Sequence, residues 1–104
     1  MSVAQPDRNA IELSVVLHAL SDPTRLAVAR QLDQCGECPC GSFEVGVAKS
    51  TLSQHLRVLR EAGLTHTRCN GNQRWVSLRR ADLDERFPGL LDVVLSSAAL
   101  EKSR

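Results

Sequence analysis

The most regular hydrophobic pattern in the chain lies between residues 49 and 62. Leu52, Leu56 and Leu59 recur at three- and four-residue spacing, which is the period of one face of an α-helix. Most positions between them are polar or charged, and Gly63 follows where a helix commonly ends in a left-handed residue. The pattern therefore predicts an amphipathic helix over 49–62, with one buried stripe and one polar side that faces solvent.

Four further helices and a β-hairpin are predicted along the rest of the chain. The helices are predicted over 9–20, 23–34, 42–45 and 82–101, and the hairpin over 65–78. Asp22 and Pro23 suit the N-cap and the first position of the second helix, and the alternation of residues around Gly71 is a hairpin signal. The sequence leaves open whether Pro88 breaks the last helix.

The order of these elements is typical of a winged helix-turn-helix, in which a hairpin follows the second helix of a DNA-binding pair. We therefore predict one mainly α-helical domain over 1–104 in the order ααα-α-ββ-α, with a flexible N-terminus over 1–8, a helix-turn-helix over 42–62 and a β-hairpin wing over 65–78. The last helix is apolar around more than one face, which a chain of this size does not bury alone. This surplus predicts a second subunit packed against it.

The distribution of charge is more informative than its total. The net charge is only +1, but residues 48–80 carry seven basic residues against Glu61 alone, and the segments on either side are acidic. A basic middle third indicates a surface that binds a polyanion, although a solvated charged face is the simpler alternative. Aromatic residues make up 3% of the chain, too few for a protein that stacks single-stranded bases.

Several other protein classes do not fit the sequence. No apolar run approaches the roughly 20 residues of a membrane span, and the N-terminus lacks a secretion signal, so we expect a cytoplasmic protein without a membrane partner. No Ser/His/Asp set, glycine-rich phosphate loop or carboxylate pair stands out. The Cys-Gly-x-Cys stretch follows a predicted helix rather than a strand of a parallel sheet, so a thioredoxin-type enzyme is not expected.

Two segments resemble motifs of the ArsR/SmtB family of bacterial metalloregulators. Residues 17–26 read Leu-His-Ala-Leu-Ser-Asp-Pro-Thr-Arg-Leu, and residues 50–64 contain Ser-Gln-His-Leu-Arg-Val-Leu-Arg-Glu-Ala-Gly-Leu, which resembles the family's recognition-helix signature. The likeness extends over residues 11–80. It implies a homodimeric repressor that binds palindromic operator DNA, releases it when an effector is sensed, and dimerises through its first and last helices. The expected interface residues are Leu13, Leu17, Leu91, Val94, Leu95 and Ala98.

The recognition helix and the wing supply the expected contacts with double-stranded DNA. Gln54 can pair bidentately with adenine, and Arg57 with guanine or a phosphate, when such a helix lies in the major groove. His55 falls in the family's His-Leu position, where contact with DNA and packing against the protein are both open. The expected DNA-binding residues are Lys49, Ser50, Thr51, Ser53, Gln54, His55, Arg57, Arg68, Asn72 and Arg74.

Three of the four cysteines fall within six residues, and the resemblance assigns them to effector sensing. Because the expected compartment is reducing, a structural disulfide framework is not expected. The resemblance implies that Cys38 and Cys40 bind a thiophilic metal or metalloid, with Cys35 as a third ligand. Thiolates favour As(III), Sb(III), Cd, Pb or Zn over hard cations. No cofactor beyond such an effector is expected, and the last helix, which has no histidine, is not expected to hold the family's other zinc site.

Two alternatives to metal sensing stay open. Cys35 and Cys38 form a C-x-x-C spacing, which can close into a disulfide and act as a thiol-redox switch. In the other alternative some of the cysteines are inert apolar side chains, and the effector is an organic ligand or a partner protein. Cys69, on the predicted hairpin, is given no role by the sequence.

Overall fold

In a computed structural model, which describes residues 5–102, the chain forms five α-helices and one three-stranded antiparallel sheet. The helices are α1 (Leu13–Leu20), α2 (Pro23–Cys35), α3 (Lys49–Glu61), α4 (Arg80–Arg86) and α5 (Leu90–Lys102). The strands are β1 (Glu37–Pro39), β2 (Thr65–Asn70) and β3 (Gln73–Leu78). Short 3₁₀ helices lie at Arg8–Ala10 and Cys40–Ser42. No helix in the described part of the chain is long and apolar enough to cross a membrane.

Helix α2 is the centre of the core, because it contacts α1, α3, α5 and two strands. Its inward residues Val28, Ala29 and Leu32 are almost completely buried. Asp22 caps the helix by accepting a hydrogen bond of 3.0 Å from the backbone N–H of Arg25, as the sequence predicts. The winged-helix arrangement predicted from the order of elements is confirmed.

The first helix starts later than predicted. Residues 8–10 form a 3₁₀ helix and Glu12 is extended, so α1 begins at Leu13 rather than at residue 9. Val16 and Leu20 face the core, whereas Leu13 and Leu17 are each 45% exposed. The exposed side of α1 is therefore apolar.

Helix α5 buries much of the surface that the sequence assigns to a dimer interface. Leu91, Leu95 and Ala98 recur at helical spacing and are buried in the chain's own core, against α2 and α4. These three side chains therefore have little surface left for a second subunit, and their assignment to a dimer interface stays a prediction. The apolar residues that α5 leaves exposed are Val93 and Leu100, at 65% and 68%.

The wing has a third strand that the sequence does not predict. The strand order is β1-β3-β2, and Cys38 lies opposite Val76, which lies opposite Thr67. Pro39 is compatible with this position because β1 is an edge strand. The predicted hairpin is confirmed, with a turn in which Gly71 adopts φ +63°.

The short helix predicted over 42–45 does not form. A single 3₁₀ turn at Cys40–Ser42 takes its place, Phe43 is buried beyond it, and Gly46 adopts φ +69°. Because a glycine-rich segment this short does not nucleate an α-helix, the predicted helix-turn-helix over 42–62 has only its second helix, α3, in regular form.

Helix α3 ends as predicted, in a left-handed glycine that also makes a close contact. Gly63 adopts φ +88°, and the backbone N–H of Leu64 donates to Leu59 O at 3.0 Å, closing a Schellman motif. A Cβ atom on Gly63 would lie 2.6 Å from Cγ1 of the fully buried Ile11. The chain can turn from α3 into β2 here only because this residue has no side chain.

The segment before α1 is held against the wing and α4. The side-chain amide of Gln5 donates to Thr67 O at 3.0 Å and accepts from Thr67 N–H at 2.8 Å, which satisfies the free edge of β2. Arg79 donates to Pro6 O at 2.6 Å. Gln5 and Pro6 of the predicted flexible N-terminus thus make defined contacts, residues 1–4 lie outside the described part of the chain, and the flexibility itself stays a prediction.

The last predicted helix is two helices. α4 begins at Arg80, two residues before the predicted start, and ends at Arg86. The chain then leaves helical geometry at Phe87, and Gly89 adopts φ +80° before α5 begins. Pro88 thus lies in a break, which settles the question that the sequence leaves open.

The Gly63 turn predicts a specific loss of stability. We expect Gly63→Ala to lower the free energy of unfolding by about 2–5 kcal/mol, because a left-handed alanine costs about 1–2 kcal/mol and the clash with Ile11 adds overpacking strain of about 1–3 kcal/mol. Gly89→Ala is the matched control, since Gly89 has φ +80° but no atom within 4 Å of the added Cβ. Urea unfolding at one protein concentration measures both variants, and equal losses would show that the contact with Ile11 contributes nothing.

Candidate nucleic-acid interface

Helix α3 presents a continuous polar face to solvent. Leu52, Leu56 and Leu59 are buried in the core as predicted, which fixes the rotation of the helix about its axis. The opposite face consists of the exposed residues Lys49, Ser50, Thr51, Ser53, Gln54 and Arg57. All six belong to the predicted DNA-binding set, and the structure brings them together on one side of one helix.

The start of α3 leaves backbone donors unsatisfied. Ala48 occupies the N-cap position and makes no side-chain hydrogen bond, so the N–H groups of the first turn lack a capping side chain. Lys49 and Ser50, both exposed, are the first two residues of this turn and add a cation and a hydroxyl. Such a cluster of donors is suited to the oxygens of a phosphate group.

His55 faces the protein rather than solvent. Its side chain is only 17% exposed, its Nδ1 atom lies 3.3 Å from Nη1 of Arg25, and its Nε2 atom lies 3.9 Å from the Asp22 carboxylate. Arg25 also donates to the carbonyl oxygen of Ala19 at the end of α1, at 2.6 Å. His55 thus packs against the junction of α1 and α2, and the reading that it contacts DNA is not supported by its placement.

The Asp22 carboxylate is the charged group at the centre of this junction. Its hydrogen bond from the backbone N–H of Arg25 lowers the pKa of Asp22, and the nearby charges of His55 and Arg25 lower the pKa further against the opposing effect of burial. The motif at residues 17–26 therefore has a structural role, because it fixes α3 relative to the first two helices.

All three predicted DNA-binding residues of the wing are exposed, but one of them is paired within the protein. Asn72 lies in the turn and Arg74 is exposed on β3. Arg68 instead forms two hydrogen bonds of 2.8 and 2.9 Å with the Glu37 carboxylate of β1 and stacks over Trp75 at 5.6 Å. The pairing lowers the pKa of Glu37, so its carboxylate stays charged beside the guanidinium.

Most of the cationic charge between residues 48 and 80 is neutralised within the fold. Four arginines form five ion pairs, which are Arg57 with Glu61, Arg68 with Glu37, Arg79 with Asp82, and Arg80 with both Asp33 and Asp92. Three of these four draw their carboxylate from outside the segment. Between residues 48 and 80, the three cations without a carboxylate partner in the described structure are Lys49, Arg60 and Arg74.

Arg60 is the residue of this group that the sequence analysis missed. It lies on the same helical stripe as Lys49, Ser53 and Leu56, and all four border a cleft between α3 and the wing. The spacing of three and four residues from 49 to 60 was a signal that could have identified it.

The cysteines are not brought together as a three-thiolate site. Cys35, at the end of α2, forms a disulfide with Cys38 of β1, and their Cα atoms are 6.2 Å apart. Cys40 is half-buried with a free thiol, and Cys69 is exposed on β2. Among the described residues, no three Cys, His, Asp or Glu side chains are grouped closely enough to hold a metal ion.

Comparison with known proteins gives a consistent result. The family model described as "Bacterial regulatory protein, arsR family" matches residues 22–67. The HTH-type transcriptional regulator YceK of Bacillus subtilis is 43% identical over 84 residues, which cover 76% of this chain and 82% of that protein. The arsenical resistance operon repressor of Staphylococcus aureus is 41% identical over 81 residues, which cover 76% of this chain and 77% of that protein.

The fold is also shared with solved structures. The transcriptional repressor BigR from Xylella fastidiosa matches with a TM-score of 0.59 and 36% identity, over 77% of this chain and 90% of that one. These relatives are transcriptional regulators, a family without enzymes. Taken with the exposed polar face of α3 and the wing beside it, the matches show that this chain belongs to the ArsR family of bacterial regulatory proteins and is a DNA-binding transcriptional repressor with a winged helix-turn-helix fold.

Proposed function

We propose that the protein is a homodimer that binds palindromic operator DNA through α3 and the wing, and that oxidation of Cys35 and Cys38 to a disulfide releases it. The observation that carries the DNA-binding surface is the exposed face of α3, where six polar side chains share one side of a helix anchored by three buried leucines. A helix of this kind fits the major groove of B-DNA with its N-terminal residues at the base edges.

The proposed contacts divide into two kinds. Gln54 lies mid-face on α3 and reads a base edge, because a carboxamide pairs bidentately with adenine. Lys49 and Ser50, beside the uncapped first turn, hold a phosphate, as do Arg74 and Asn72 from the wing. Arg57 contributes as well, since its exposed ion pair with Glu61, at 3.4 Å, is weak enough to exchange for DNA.

The homodimer rests on apolar surface that one chain leaves uncovered. Leu13 and Leu17 on α1, with Val93 and Leu100 on α5, are between 45% and 68% exposed. Solvent-exposed leucines and valines on two helices are typical of a subunit interface. A two-fold dimer presents two copies of α3, which is the symmetry of a palindromic operator.

Loss of the Gln54 carboxamide tests the DNA-binding face. We expect Gln54→Ala to weaken binding to a duplex selected from a randomised pool by about 1–3 kcal/mol and to relax the base preference at one position in each half-site. Gln34→Ala, which removes an exposed glutamine from α2, is the matched control. Fluorescence anisotropy measures both affinities. Unchanged affinity of a Gln54→Ala dimer would remove Gln54 from the contact set.

Charged substitutions on the exposed apolar residues test the dimer. We expect Leu17→Glu combined with Val93→Glu to weaken self-association by about 3–5 kcal/mol, because each carboxylate would be buried without a partner at the interface. Val47→Glu is the control, since Val47 is 37% exposed on the segment before α3. Sedimentation velocity separates monomer from dimer, and a double variant that stays dimeric would place the interface elsewhere.

The disulfide supports redox control of the wing. It closes a short loop that contains Glu37, and Glu37 holds Arg68 of β2 in a bidentate ion pair. In the oxidised protein β1 is tied to the end of α2, so Glu37 keeps Arg68 neutralised. Reduction frees β1 from α2 and lets Arg68 exchange Glu37 for a phosphate, which gives the reduced form the higher affinity for DNA.

The oxidation is balanced with a peroxide as the oxidant. The two thiols of Cys35 and Cys38 lose two electrons and two protons and form the S–S bond. Hydrogen peroxide accepts both electrons and both protons as its O–O bond breaks, and leaves as two molecules of water. A dithiol reductant reverses the step and restores DNA binding.

Metalloid sensing is the second candidate, favoured by one observation. The Staphylococcus aureus relative, 41% identical, is named an arsenical resistance operon repressor. In this alternative Cys38 and Cys40 of the reduced protein bind As(III) or a similar thiophilic ion. The two candidates need different cysteine pairs, because the disulfide uses Cys35 and the metalloid site uses Cys40.

A gel-shift panel with two single variants separates these candidates. We expect peroxide to release DNA from the wild type and from Cys40→Ser, but not from Cys35→Ser, and the release to lower the slope of log affinity against log salt by about 1 per protomer. Glu37→Gln should lose most of the peroxide response, since Arg68 is then never neutralised. Release by arsenite that Cys40→Ser abolishes, without any release by peroxide, would overturn redox control in favour of the metalloid.

A further inference from the structure

The cleft between α3 and the wing has the composition of a ligand site. Its volume is about 350 Å³, within the usual range for small-molecule pockets. Phe43, Leu52 and Leu56 contribute apolar walls, and Val47 lies at its border. The cleft is therefore large enough, and apolar enough, to bury a small organic molecule.

The polar lining of the cleft is cationic. Lys49, Arg60 and Arg74 all line it, and no acidic residue does. They are also the three cations between residues 48 and 80 that form no ion pair with a described carboxylate. In addition, the Nε atom of Arg60 is buried without a hydrogen-bond acceptor. A buried donor without an acceptor is costly, so an anion that accepts from it would be favoured.

From this combination we infer that the cleft binds a small organic carboxylate with an apolar body. The carboxylate accepts hydrogen bonds from Arg60 and Arg74, as guanidinium groups bind carboxylates in general, and the apolar body lies against Phe43 and the two leucines. A bare phosphate, including one of the DNA backbone, would leave the apolar walls uncovered.

Such a ligand would compete with DNA. Three residues of the cleft, Lys49, Ser53 and Arg74, belong to the DNA-binding face of the proposed function, on which this step rests. A carboxylate in the cleft neutralises the cations that otherwise meet phosphates. Its binding therefore lowers the affinity for the operator without any change in the cysteines.

Cys40 lines the cleft, so the reactivity of its thiol can be used to detect a ligand bound there. Burial raises the pKa of Cys40, and the nearby Arg74 and Arg60 partly offset this effect. Cys69 is exposed and does not line the cleft, and the disulfide removes Cys35 and Cys38 from alkylation. The oxidised protein therefore offers one thiol inside the cleft and one outside it as an internal control.

The experiment measures the alkylation of Cys40 and Cys69 by iodoacetamide, resolved by peptide mass spectrometry, with octanoate as the probe. We expect octanoate to slow alkylation of Cys40 but not of Cys69, and neither 1-octanol nor inorganic phosphate to reproduce the effect. Arg60→Gln should weaken the protection by octanoate about tenfold, the loss expected for a hydrogen bond to a charged group. Arg30→Gln, a charge removal on α2 outside the cleft, should leave it unchanged.

Several results would overturn the inference. These are alkylation of Cys40 at the same rate with and without octanoate, equal protection by phosphate, or equal protection by 1-octanol. If Arg60→Gln does not fold, Arg74→Gln takes its place, because Arg74 is exposed and its loss should likewise weaken the protection of Cys40 by octanoate. The alkylation is measured in the absence of DNA, so a negative result would overturn the carboxylate site without contradicting the proposed binding of operator DNA. A wild-type dimer that binds no selected duplex contradicts the proposed function and leaves the cleft result intact.

Discussion

The turn at Gly63 is the constraint on which the DNA-binding surface depends. The recognition helix must end there, the backbone must take a left-handed conformation, and the chain must pass against Ile11 at a distance that no side chain permits. Leu64 and Thr65, the first residue of β2, follow at once and are fully buried. Because only the buried residues 62–64 join α3 to β2, the angle between helix and wing is set by packing in the core rather than by the exposed polar residues of α3.

Ion pairs within the fold neutralise part of the positive charge of residues 48–80 and leave the rest in one place. Residues 48–80 carry seven cations, and four of them form ion pairs: Arg57 within α3, and Arg68, Arg79 and Arg80 with carboxylates of α2, β1, α4 and α5. The unpaired cations Lys49, Arg60 and Arg74 all border one cleft. The unpaired positive charge of this segment therefore lies between the helix and the wing, so in the proposed function an anion bound there would compete with the operator.

Strand β1 connects the cysteines to that surface. It carries Cys38 on its buried side and Glu37 beside Arg68, and it pairs with β3, which carries Arg74. A chemical change at the end of α2 therefore reaches the wing through a single strand of three residues. The carboxylate proposed for the cleft binds at the neighbouring face of the same sheet. In these proposals, the redox state of the cysteines and the bound ligand would therefore both act on the wing.

The sequence alone determined the elements that follow from local rules. The leucine spacing of α3, its end at Gly63, the Asp22 cap and the hairpin at Gly71 each depend on a few neighbouring residues. Together with their order, these features were sufficient to predict the winged-helix fold and the polar face of α3. A helix period or a turn signal is a property of a short stretch of chain, so it is visible before the chain folds.

Only the tertiary structure decided which residues of distant segments meet. Strand β1 forms because β3 offers it an edge, Arg68 is ion-paired because Glu37 lies beside it, and Leu95 is buried because α2 packs against α5. In each case the deciding partner is more than twenty residues away in the chain. A local sequence pattern does not identify such a partner, because contacts between residues far apart in the sequence depend on how the whole core packs.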